Sequence, residues 1–201
     1  MGKHSIVQFI KEYYPEYYSW KEYPADDCIP FTKAQEEWGI LCNFARTPLI
    51  VEGVEFVNTE QLFQMMKFRD METLLNIYNA RGMNIKYSAK TGEKNELRRP
   101  DWGEIIVDCM KFCLQTKYEQ NEEFRNTLKH TAGHIIVEDQ TRRKTIKTVD
   151  TWGAVLYERQ YVGSNLLGRL LMELRDKGKL EYHLPDDIFD FISNLKSSGQ
   201  I

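Results

Sequence analysis

The sequence predicts an α+β fold, mainly α, with a small β component. Apolar residues recur at helical spacing, most plainly in Ile105, Ile106, Cys109, Met110 and Cys113, and again in Leu166, Leu167, Leu170, Leu171 and Leu174. The β-branched runs are short by contrast. Ile135-Ile136-Val137 is the clearest strand, and Leu49-Ile50-Val51 with Val54 and Phe56 reads as two short strands around an Glu52-Gly53 turn. With 201 residues the chain is long enough for one domain that buries about 70% of its unfolded surface without metals or disulfides.

Residues 1–26 read as an aromatic-rich helical extension. Ile6, Phe9, Ile10 and Tyr13 set a short helix from Ser5 to Tyr14, and Pro15 stops it. Tyr14, Tyr17, Tyr18, Trp20 and Tyr23 then form a connector to Pro24, either docked on the main domain or offering a stacking surface to a partner. The main domain, 27–177, opens with a candidate strand from Cys28 to Thr32, and Gly39 and Asn43 imply turns around Trp38 and Phe44. Asn58-Thr59 supplies an N-cap for a helix beginning at Glu60, and Leu74 to Asn79 is helical. The Lys- and Arg-rich stretch from Arg81 to Arg99 contains Gly82 and Gly92 and little apolar periodicity, so composition makes it a loop, solvated or touching phosphates.

Pro100-Asp101 opens the next helix, with Asp101 and Glu104 as a capping box and Trp102 in the first turn. Asn121 caps a helix carrying Phe124 and Leu128 that stops near Gly133. After the Ile135 strand, Arg142-Arg143-Lys144 and Lys147 lead to Asp150-Thr151-Trp152-Gly153. Gly163-Ser164-Asn165 opens the leucine-rich helix and offers backbone N–H groups to an anion. The segment 178–201 is a C-terminal helical extension, capped at Asp186 or Asp187 and carrying Ile188, Phe189, Ile192 and Leu195.

A net charge of -3 and a pI near 5.9 argue against affinity won by coating nucleic-acid phosphates, though they leave room for a local basic patch. Cys28, Cys42, Cys109 and Cys113 form no C-x-x-C pair, which suggests a reduced, cytoplasmic protein. His130 and His134 lack the intervening Glu of a metalloprotease helix, so neither a metal nor another cofactor is expected. No apolar run approaches a membrane span and no signal-peptide pattern opens the chain, so no membrane partner is expected.

The pattern with chemical content lies in the helix after Asn58. Glu60, Gln64 and Lys67 stand at i, i+4 and i+7 on one face, and Leu62, Phe63 and Met66 point away from them. Such a row is either a solvated helix face or a carboxylate acid or base beside an amine nucleophile. Spacing does not choose between them.

Further blocks bear on that choice: Trp38-Gly39 with Asn43-Phe44, Glu60 with Phe63-Gln64 and Lys67, Arg99-Pro100-Asp101-Trp102, Val137-Glu138, Asp150 with Trp152-Gly153, and Gly163-x-Asn165-x-Leu167-Gly168-x-x-Leu171-Met172-x-x-Arg175. Taken in order from about Cys28 to Arg175, they resemble the NADAR (YbiA-like) family. The resemblance implies a compact, mainly helical domain that cleaves N-glycosidic bonds to ribose. Activities known in the family are hydrolysis of ribosylated pyrimidine intermediates of riboflavin synthesis and removal of ADP-ribose from guanine, which counters DNA-ADP-ribosylating toxins. The functional positions carried over are Glu60, Lys67, Trp102, Asp150 and Trp152.

On that footing Lys67 is the expected nucleophile, capturing an opened ribose as a Schiff base, with Glu60 and Asp150 moving protons or stabilising charge. Trp102 and Trp152 would flank the base, with Gln64, Asn43 and Phe44 also contacting substrate; Arg99, Ser164 and Asn165 would meet phosphate. Three departures concern specificity, one being a stretch from Thr141 to Val149 that is longer and more basic than usual. Gln61 stands where the family usually has His, and Ala154 to Tyr161 replaces a Gly- and Asp-rich loop. The leading expectation is removal of ADP-ribose from guanine in nucleic acid, so the partners would be ADP-ribose or a ribosyl phosphate and ADP-ribosylated DNA. An N-glycosidase of riboflavin intermediates and a non-catalytic ADP-ribose or NAD reader are the alternatives.

Overall fold

A computed structural model of the chain describes residues 6–199, so the expected helix start at Ser5 lies outside the described residues. In chain order the elements are α1 (Ile6–Tyr13), α2 (Pro15–Tyr18), β1 (Lys21–Pro24), β2 (Cys28–Phe31), β3 (Leu49–Val51), β4 (Val54–Phe56), α3 (Thr59–Met65), α4 (Met71–Asn79), α5 (Asn84–Lys94), α6 (Trp102–Gln120), α7 (Glu122–His130), β5 (Ile135–Glu138), β6 (Val155–Tyr157), β7 (Gln160–Gly163), α8 (Leu166–Lys177) and α9 (Asp190–Ser197). The fold is α+β and mainly helical, as the sequence predicts. The chain divides into two units, one from residues 1–45 and 121–180, the other from residues 46–120 and 181–201.

In the first unit the Ile135 run is a strand because both of its sides are used. β5 pairs in parallel with β2, Cys28 opposite Ile135 and Phe31 opposite Glu138. Helix α8 lies against β5 so closely that a Cβ on Gly168 would stand 2.2 Å from the Ile136 carbonyl oxygen, an approach only glycine permits. The expected loop from Ala154 to Tyr161 is a hairpin instead. β6 pairs with β7 around Glu158-Arg159, and Glu158 takes φ 54° to close the turn. The aromatic connector supplies the third strand, as β1 runs antiparallel to β7 with Lys21 opposite Gly163. Tyr23 is thereby buried with Val137, Ala154 and Tyr161, and Tyr17 on α2 donates to Glu173 on α8 at 3.0 Å.

In the second unit the β3–β4 hairpin forms as expected. Glu52 and Gly53 both adopt positive φ, 51° and 77°, the geometry a two-residue turn needs to match strand twist. Phe56, Leu62, Met65, Met66, Leu74, Ile77, Ile106 and Cys113 fill the core beneath it. The stretch from Arg81 to Arg99 is not a loop, since α5 occupies its centre. Its buried stripe is Ile85, Ala89 and Gly92, a helical spacing made of residues too small to register as apolar periodicity. Gly92 sits inside the helix because a Cβ there would come within 2.6 Å of Thr73 Cγ2 and 2.8 Å of Phe68 Cε1. Helix α9 starts after Phe189 without a side-chain cap, so neither Asp186 nor Asp187 caps it. Among the described residues no helix is long and apolar enough to cross a membrane.

Candidate active site

The row on α3 begins with its cap. Asn58 Oδ1 accepts from the Gln61 N–H at 2.9 Å, and every residue of the helix is buried. Glu60, Gln64 and Lys67 retain only 4%, 6% and 5% exposure, which excludes a solvated face. Gln64 Nε2 donates to Glu60 Oε1 at 2.7 Å, and Lys86 Nζ from α5 stands 3.5 Å from the same oxygen. Lys67 follows the helix and donates from Nζ to Glu93 Oε1 at 3.0 Å. The amine also lies 5.6 Å from the centre of the Trp102 ring and 5.7 Å from that of Phe63. Phe63 therefore flanks the amine rather than pointing away from the polar row. Its ring and that of Trp102 are 5.3 Å apart, tilted by 57°.

Burial lowers the Lys67 pKa, because water no longer solvates the ammonium, and the Glu93 and Glu60 carboxylates act in the opposite direction. An amine in that setting is a usable nucleophile. The thiols of Cys109 and Cys113 are pushed the other way by the same burial, so neither is a competing nucleophile.

The neighbours of this row are structural. Gln61 accepts from the Val57 N–H at 2.9 Å and donates to the Ile77 and Tyr78 carbonyls, so its fully buried amide ties the end of β4 to the end of α4. Arg99, expected at a phosphate, is 4% exposed. Its guanidinium is taken by Asp101 at 2.6 and 2.8 Å and by Asp187 at 2.9 Å. Asp101 thus answers Arg99, where the capping-box pattern gave it to the helix N–H groups, and the guanidinium holds its carboxyl below the usual carboxylate range.

The first unit holds a second group. Asp150 Oδ1 accepts from Gln140 Nε2 at 2.7 Å and from the backbone N–H of the half-buried Trp152 at 3.0 Å, which fixes the carboxylate. The loop carrying them is pinned by the start of α8, where the N–H groups of Asn165, Leu166 and Leu167 donate to the Gly153, Thr151 and Trp152 carbonyls. Those are the N–H groups the sequence offered to an anion, so Ser164 and Asn165 hold a loop instead. Asn165 is fully buried, donating to the Ile136 carbonyl at 2.8 Å and accepting from the Glu138 N–H at 3.1 Å. Ser164 Oγ donates to the Tyr18 carbonyl. Asn43 is buried and Phe44 half-buried after the turn at Gly39–Leu41. Glu60, Gln64, Lys67, Trp102 and Arg99 belong to one unit, and Asp150, Trp152, Asn43, Phe44, Ser164 and Asn165 to the other.

Sequence reasoning missed Lys86, Glu93 and Gln140. The signal for the first two was present, since Lys86 and Glu93 repeat the i, i+7 spacing of Glu60 and Lys67 with the charges reversed.

The NMR structure of the Escherichia coli protein YbiA matches this chain with a TM-score of 0.60 at 30% identity, covering 80% of this chain and 92% of that one. The N-glycosidase YbiA of Escherichia coli K12 is 30% identical over 157 residues, 78% of this chain and 91% of that protein. A riboflavin biosynthesis protein of Vibrio vulnificus is 27% identical over 172 residues; the match takes in 86% of this chain and 44% of that larger protein. Fold and relatives together define the class, a glycosidase-type hydrolase acting on N-glycosidic bonds. The NADAR domain model matches residues 30–178, and the chain belongs to the NADAR family.

Proposed function

We propose that this protein removes ADP-ribose from guanine in nucleic acid, with Lys67 as the nucleophile. The observation that carries the reading is the buried Lys67 amine, its pKa lowered by burial, between the Trp102 and Phe63 rings and a Glu93 carboxylate. Nζ displaces the base nitrogen at ribosyl C1, and the departing nitrogen takes up the proton that Nζ gives up; the C1–O4′ bond then breaks, O4′ takes the remaining Nζ proton, and C1 becomes the imine carbon of a Schiff base. Water then hydrolyses the imine, which returns the free amine and the sugar aldehyde. Glu60, held by Gln64 and Lys86, stabilises positive charge at the sugar carbon, while Asp150, oriented by Gln140, belongs to the other unit.

A nucleic-acid substrate is favoured by the exposed turn carrying Arg142, Arg143, Lys144 and Lys147, which the Gln140–Asp150 hydrogen bond closes at its base. Cationic side chains rising from the segment next to a candidate acid suit a phosphate backbone. A second reading, hydrolysis of a ribosylated riboflavin-pathway intermediate, is favoured by the Vibrio vulnificus relative. Purified protein given ADP-ribosylated guanine DNA, or separately the riboflavin intermediates, distinguishes the two by which leaving group is released. Lys67→Ala abolishes release, and borohydride traps the sugar on Lys67 of the parent. Release from neither substrate overturns the proposal.

A further inference from the structure

The segment of α3 that runs on to Lys67 and helix α5 carry matched charge pairs. Glu60 and Lys67 stand at i and i+7 in one segment, Lys86 and Glu93 at i and i+7 in the other, in reversed order. The pairs meet like with unlike, Lys86 at 3.5 Å from Glu60 and Glu93 at 3.0 Å from Lys67. The second contact is asymmetric in burial. The Lys67 side chain is 7% exposed, whereas that of Glu93 is 34% exposed. Glu93 thus has one carboxylate oxygen on a buried amine and a third of its side chain in water. The amine has no such access of its own.

We infer that Glu93 is the positioning residue of the Lys67 amine, holding it as an oriented ammonium at rest and accepting its proton when the free amine is required. The proton leaves Nζ for Oε1 of Glu93 and from there reaches solvent, and the nitrogen lone pair is released to bond with carbon. The inference rests on Lys67 being the nucleophile. The charged groups acting on the amine are Glu60 on α3 and Glu93 and Lys86 on α5, while the aromatic faces of Phe63 and Trp102 close around it. Removing Glu93 takes away the larger attraction that keeps the proton on, so the amine titrates at lower pH. Removing Lys86 takes away a repulsion, so it titrates at higher pH.

The test follows the Lys67 ε-carbon by ¹³C NMR against pH in the full-length protein, together with the pH profile of turnover. In Glu93→Gln the midpoint falls by about one pH unit or more, and the acid limb of turnover moves with it. Lys86→Gln shifts the midpoint by less and upward, and Glu93→Asp, which keeps the charge should Gln not fold, falls between Gln and the parent. A midpoint unmoved in both Glu93 variants overturns the inference, as does a turnover limb that stays put while the midpoint moves. Borohydride trapping of the parent reads the nucleophile separately. Trapping with an unmoved midpoint removes the role of Glu93 alone, whereas a moved midpoint without trapping keeps the amine–carboxylate coupling and removes the Schiff base.

Discussion

Arg99 and Asp187 form a contact that spans 88 positions of chain, Nη2 to Oδ1 at 2.9 Å, at a guanidinium that is almost wholly buried. The backbone N–H of Arg99 donates to the Lys67 carbonyl at 2.8 Å, so this ion pair braces the segment on which the amine is mounted. Asp187 also receives Arg69. Removing one partner of a buried, charge-assisted hydrogen bond leaves the other incompletely satisfied, which costs more than the bond itself contributed. Asp187→Ala is therefore expected to lose about 1–3 kcal/mol of stability, read as a lower urea midpoint with unchanged slope. A variant as stable as the parent would show that the C-terminal segment does not brace this site.

Lys67 should trade stability against activity. A buried ammonium is costly even when paired, and its removal strands no buried charge here, since the Glu93 side chain is one-third exposed and Glu60 keeps Gln64 and Lys86. Lys67→Met is expected to lose turnover by several orders of magnitude while melting no lower than the parent. Because the folded Lys67 pKa lies below 10.5, the unfolded chain binds more protons between the two values. Parent stability therefore rises with pH across that window, and the advantage of Lys67→Met is greatest below the folded pKa and shrinks toward 10.5. Melting curves of both proteins across the alkaline range check the sign.

Gln61 sits where the family usually carries His, yet its amide makes three hydrogen bonds to backbone groups of β4 and α4. It is expected to matter to folding and not to proton transfer. Gln61→Leu fills the space but strands the Val57 N–H and two carbonyls, and a loss of about 1–3 kcal/mol follows. The kcat of the folded fraction should stay within a few-fold of the parent. A large fall in kcat without a fall in stability would put Gln61 into the chemistry.

These outcomes track what the sequence made legible. The β3–β4 turn, the Asn58 and Asn121 caps, the α6 and α8 stripes and the β5 strand were all readable, because each depends on neighbours within a few positions. Helix α5 was not readable, since its buried face is Ile, Ala and Gly and the rest is charged. Strand β1 was missed because it is four residues paired with β7 some 140 positions away, whereas the local β6–β7 hairpin turns at Glu158-Arg159, with no glycine or asparagine to signal it. The α3 row was legible as a pattern, but its burial and its α5 partners required coordinates. Arg99 and the α8 start looked like anion sites because local sequence shows donors, not the distant carboxylates and carbonyls that take them.

Asn165 tests that last point. It precedes α8 at φ 49°, ψ 43°, a left-handed conformation that asparagine tolerates and alanine does not. Its side chain also bonds Ile136 and Glu138 on β5. Two costs are therefore superimposed and can be separated. Asn165→Gly keeps the backbone conformation free of strain and loses only the two hydrogen bonds. Asn165→Ala loses the same bonds and adds left-handed strain of about 1–2 kcal/mol. The alanine variant should thus be the less stable of the two by roughly 1 kcal/mol, once the greater unfolded-state freedom of glycine is counted. Both should loosen the 150–153 loop, seen as faster amide hydrogen exchange at Trp152, because the N–H groups of residues 165–167 hold its carbonyls. Equal stability of the two variants would mean that the left-handed start of α8 carries no strain, and protected exchange at Trp152 in both would mean that something other than the helix start holds Asp150 in place.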